Sequence, residues 1–87
     1  MKRIIINITS NLTNVPNLDE MVTKEFARGK ELAEQGIEED IFTKDDFSGA
    51  ILIFKGVDLE KAKELVATFP LFPYFTNVDY KEVTKHS

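Results

Sequence analysis

The spacing of apolar and polar positions divides the chain into six elements. Arg3 to Thr9 is rich in β-branched residues and alternates only weakly, which predicts a central strand covered on both faces. Ser10 to Asn17 is polar and carries Pro16, so it reads as a loop. Beyond it Leu18, Val22, Phe26, Gly29 and Ala33 recur at helical spacing and predict one amphipathic stripe, flanked by Met21, Glu25 and Leu32. Asn17 is the expected N-cap, with Glu20 as its capping-box partner, and Gly36 the left-handed stop. Ile37 to Thr43 alternates as a strand with one wetter face. Lys44 to Gly49 is turn chemistry and Ala50 to Phe54 is wholly apolar, so the two strands predict a hairpin. Asp58 offers a second N-cap, and Leu59, Ala62, Leu65, Val66 and Phe69 line the helix that follows until Pro70 blocks it. Thr76 to Val83 reads as a short, polar edge strand.

The order βαββαβ predicts one α+β domain over residues 1–87, ferredoxin-like, with a four-stranded antiparallel sheet and two helices on one face. In that arrangement the first and third strands are central. They are also the most apolar strands of this chain, an agreement that does not depend on element order. The uncovered face is then too greasy for a lone subunit. Ile5 lies on the opposite side from Ile4, Ile6 and Ile8, and Ile51 and Ile53 oppose Leu52 and Phe54. Large side chains left in water at ~1.5–3 kcal/mol each form a costly patch. The expected remedy is a homodimer whose sheets face each other as an α+β barrel.

Charge and composition narrow the function. Fifteen acidic against eleven basic residues give a net charge of −4, unsuited to a nucleic-acid domain. The absence of cysteine excludes disulfides and thiolate zinc sites. The one histidine, His86, stands next to the end of the sequence, so a transition-metal site is not expected. No apolar run approaches the ~20 residues that span a bilayer, and Asn7, Thr9 and Ser10 interrupt any leader-like start; a cytoplasmic protein without membrane partners is expected. Glu38, Glu39, Asp40, Asp45 and Asp46 read as a solvated, aggregation-resistant edge, lacking the ligand spacing of a calcium loop.

Phe69-Pro70-Leu71-Phe72-Pro73-Tyr74-Phe75 gathers four of the nine aromatic residues into a stiff corner, either a pocket wall or a packing plug. The run PLFPY at Pro70–Tyr74 resembles the signature of the muconolactone isomerase family before its last strand. A looser likeness covers the helix around Lys24-Glu25, its end at Glu31–Gly36 and the apolar third strand. The resemblance implies dimeric α+β barrels that build larger rings. It also implies a small organic ligand held near a subunit interface and a proton moved within an unsaturated lactone without a cofactor. By resemblance Glu25 matches a glutamate on the first helix. It is also the mid-helix carboxylate beside the apolar stripe, either a general base or a solvated acid paired with Lys24 or Arg28. Lys24, Arg28, Phe42, Phe72 and Tyr74 are the expected ligand-binding residues around it. Two functions stay open: a cofactor-independent isomerase, or a non-catalytic ligand-binding or assembly module of the same fold.

Overall fold

The computed structural model describes residues 1–87. Its elements are β1 (Lys2–Ser10), α1 (Leu18–Glu34), β2 (Glu38–Thr43), β3 (Gly49–Phe54), α2 (Leu59–Val66) and β4 (Phe75–Thr84), with a single 3₁₀ turn at Phe72–Tyr74 before the last strand. The sheet runs β2-β3-β1-β4, every neighbour antiparallel, so the two most apolar strands are indeed central. This is the expected ferredoxin-like βαββαβ arrangement.

Register decides what each face carries. Ile4, Ile6 and Ile8 lie opposite Phe54, Leu52 and Ala50, and these residues line the face beneath the helices. Ile4, Ile6, Leu52 and Phe54 are buried there with Leu32 of α1 and with Ala62, Leu65 and Val66 of α2. Phe69, just past α2, closes the same core. The other face presents Ile5 paired with Ile53, Asn7 with Ile51, and Phe42 with Ile51. Arg3 crosses this face to bond Glu39, which also accepts Lys85. That pair of cations holds the Glu39 carboxyl well below the usual carboxylate range, Arg3 contributing most.

Three local readings need correction. Asn17 adopts left-handed backbone (φ 53°) and its side chain caps nothing, so no capping box with Glu20 forms. Asp58 does cap its helix, accepting the Lys61 N–H at 2.8 Å. In α1 the buried residues are Gly29 and Leu32, whereas Phe26 is half exposed and Ala33 faces solvent. The helix is thus rotated towards the flank that holds Glu25. Finally, β2 does not alternate cleanly. A bulge between Glu38 and Asp40 lets Glu38 and Ile41 share the helix face while Glu39 turns to Arg3.

Candidate functional site

At one end of the sheet the core is not filled. On the helix-side face β3 ends in Phe54 and Leu52 but begins with Ala50, and the small residue leaves space that the large ones close further along. The result is a cavity of about 290 Å³ between α1, the β2–β3 hairpin and the aromatic corner. Its walls are almost wholly apolar, with Ile8, Leu52, Val22, Phe69, Leu71 and Phe75 contributing. Ser10, Thr43, Lys44 and Glu25 supply the polar groups, and Lys44 is the only cation among them. Phe26 and Phe47 stand at the rim, Phe47 being 87% exposed on a turn residue with φ 61°. An apolar cleft near ~300 Å³ with a few convergent polar groups is the general form of a small-molecule site.

Glu25 is the acid of this cavity, and the corner explains its position. Pro70 and Pro73 carry no N–H, while the Phe72 and Tyr74 N–H groups bond back to the carbonyls of Phe69 and Leu71. The Leu71 N–H is left over, on a buried residue, and donates to Glu25 Oε1 at 2.9 Å. Glu25 Oε2 forms no hydrogen bond within the protein. Burial raises the Glu25 carboxyl above its ordinary range, partly offset by the Leu71 hydrogen bond, and no ion pair reaches it.

The other sequence-derived candidates lie outside the cavity lining. Lys24 is exposed on α1. The Arg28 Nε donates to Thr68 Oγ1 at 2.9 Å and its Nη1 approaches Glu31, so it ties α1 to the end of α2. Phe42 is 54% exposed on the uncovered sheet face, where the bulge in β2 sends it. Phe72 packs edge-on against Phe75, and Tyr74 borders a separate shallow depression with Asn11 and Asn14. The corner is therefore a cavity wall, lined by Phe69, Leu71 and Phe75, while Phe72 meets Phe75 edge-on and stays exposed.

Glu38 is the residue that the sequence pattern hides. It is 8% exposed, in register with buried Phe54, and its Oε1 has no hydrogen-bond partner. Burial, and secondarily the charge of Glu25, push its carboxyl up to about 7. Rather than lying along a solvated edge, it points inward. No set of three or more acidic or histidine side chains converges as a metal site. No helix is long and apolar enough to cross a membrane.

No family model matches the chain, and no curated protein matches it in sequence. Solved structures do match. 5-Chloro-2-hydroxyhydroquinone dehydrochlorinase (TftG) of Burkholderia phenoliruptrix AC1100, in complex with 2,5-dihydroxybenzoquinone, superposes with a TM-score of 0.75 at 14% identity. That alignment covers 98% of this chain and 95% of the dehydrochlorinase. TTHA0845 from Thermus thermophilus is similar at a TM-score of 0.54 and 11% identity, covering 100% of this chain and 98% of the other. At such identities the likeness establishes the shared ferredoxin-like fold of the single chain.

Proposed function

We propose that this chain is a relative of the muconolactone isomerase family that binds a compact, unsaturated cyclic molecule in the Glu25 cavity and shifts a proton within it. The observation that carries the reading is the half-buried Glu25 carboxylate, fixed through one oxygen to Leu71 and set in an otherwise greasy cleft. Burial raises the Glu25 carboxyl and so makes its carboxylate a stronger base, suited to take a proton from a carbon acid and return it. In the forward step a C–H bond next to a carbonyl breaks, its proton goes to Glu25, and the electron pair moves onto the carbonyl oxygen. The proton then returns to a different carbon and the carbonyl re-forms, so no other reactant is consumed. Lys44, the only cation of the lining, is the group suited to an anionic oxygen.

Size supports the ligand class. An apolar cavity of ~150 Å³ takes a benzene ring, so 290 Å³ leaves room for one ring with small substituents. The quinone held by the dehydrochlorinase is a ring of that kind. The apolar residues of the uncovered sheet face, with Ile5, Ile51 and Ile53 half-buried and Phe42 exposed, support a second copy packed across it.

The test is ligand-dependent thermal shift across unsaturated lactones, hydroxyquinones and small aromatic acids, followed by exchange of ligand C–H protons into D₂O. Binding with exchange that Glu25→Gln abolishes supports the isomerase. Binding with exchange unchanged in that variant overturns Glu25 as the base and leaves a ligand-binding module.

A further inference from the structure

The turn between β2 and β3 places a large apolar side chain where local chemistry favours a small one. The Phe47 N–H donates to the Lys44 carbonyl at 3.0 Å, and the Lys44 N–H to the Gly49 carbonyl at 2.9 Å. Asp46 Oδ1 accepts the Ser48 N–H at 3.0 Å, and the Ser48 carbonyl accepts the Ser10 N–H of β1 at 2.8 Å. Within this bonded turn Phe47 has left-handed backbone, φ 61°. Glycine and asparagine adopt that conformation readily, whereas a bulky side chain is strained in it. Packing within the subunit does not compensate, because the ring is 87% exposed. Strain held by its surroundings, without a packing gain, points to a role outside the fold itself.

The place where the ring stands supplies that role. Phe47 lines the mouth of the Glu25 cavity from the hairpin, and Phe26, itself half exposed, lines it from α1. The bond from Ser10 ties the turn to β1, so the sheet sets the position of Phe47 relative to the cavity floor. Aromatic rings left in water at the entrance of an apolar cleft gain contacts when the cleft is occupied. Against a flat, conjugated ring they can stack offset or meet edge to face, which adds to the apolar area buried. A puckered, saturated ring of similar size presents hydrocarbon without a π face.

We propose that Phe47 is a ligand-contacting residue, its ring covering a flat, conjugated ring bound in the cavity, and that its left-handed backbone is retained for that contact. The ligand class narrows accordingly to planar rings over puckered ones. The inference rests on the reading of this cavity as the site of a small cyclic molecule. It does not rest on proton transfer by Glu25, and its test measures binding.

The test compares phenol with cyclohexanol, which carry the same hydroxyl on a flat and a puckered ring, by NMR titration of the full chain. Phenol should bind the parent more tightly and show nuclear Overhauser contacts to the Phe47 ring. In Phe47→Asn the phenol affinity should fall at least about fivefold, the scale of an aromatic pair, and Phe47→Tyr should restore it. The melting temperature of ligand-free Phe47→Asn should not fall, and relief of the strain should raise it by about 4 °C. Phe47→Gly suits the same backbone and repeats the measurement should the asparagine variant fail to fold. Equal affinity for the two alcohols, no binding of phenol, or phenol binding indifferent to Phe47→Asn would each overturn the proposal. So would unchanged binding with a smaller oligomer in that variant, which would assign Phe47 to a contact between copies. Binding through Phe47 without Glu25-dependent proton exchange would remove the isomerase and keep the aromatic mouth. Exchange retained with binding indifferent to Phe47 would do the reverse.

Discussion

The Glu25 carboxylate accepts the Leu71 backbone N–H at 2.9 Å, joining the middle of α1 to a corner 46 residues away. The bond serves two purposes at once. It satisfies a donor that the proline corner cannot satisfy itself, and it fixes the orientation of the one acid in the cavity. Glu25→Ala should therefore destabilise the protein by about 1–3 kcal/mol, the cost of an orphaned buried N–H. Glu25→Gln, which keeps an acceptor oxygen, should stay within about 1 kcal/mol of the parent. Urea unfolding of both variants checks the difference.

Glu38 predicts an unusual pH dependence. Its carboxyl is raised from 4.5 to about 7 in the folded protein, so folding takes up a proton between those values. The stability contributed is fully present below pH 4.5 and is lost as pH rises through about 7. Thermal unfolding at pH 5 should exceed that at pH 8, and Glu38→Gln should flatten the difference by an amount on the order of 2 kcal/mol. Glu39 acts in the opposite sense, because its depressed carboxyl contributes stability above pH 4.5 that is lost as pH falls through about 2.

Filling the cavity separates binding from folding. Ala50 lines it where the neighbouring strand positions are larger, and Ala50→Leu places extra hydrocarbon in the ligand space. The variant should remain folded and lose at least tenfold in affinity for any ligand that shifts the parent's melting temperature, about 1.4 kcal/mol. Gly49, its neighbour, tolerates no such change. A Cβ there would stand 1.8 Å from the Ile8 carbonyl oxygen at φ 156°, so Gly49→Ala should fail to give a cooperative melt.

The uncovered sheet face predicts association. Ile53 pairs with Ile5 at its centre. Analytical ultracentrifugation should show a species of at least twice the chain mass at micromolar concentration, and Ile53→Asp should reduce it to one chain mass without unfolding it. A monomeric parent would remove the dimer.

Much of the architecture was legible in the order of residues because strand and helix periods are local properties. Weak alternation in Arg3–Thr9 and Ala50–Phe54 marks the central strands, Asp58 caps α2, and Gly36 ends α1 through its own backbone chemistry, whereas α2 stops at Val66, short of Phe69 and of the Pro70 expected to end it. The candidate base was legible as well, since Glu25 interrupts the border of an apolar stripe. Tertiary packing decided the rest. Whether Phe26 or Leu32 faces inward depends on how α1 rotates over the sheet, and hydrophobicity does not distinguish the two. A bulge near Glu39 reverses the facing of one residue, which sends Phe42 outward and draws Glu38 beneath α1. Side-chain direction along a strand is the parity of a register, and register is set by the neighbouring strand rather than by the residue itself.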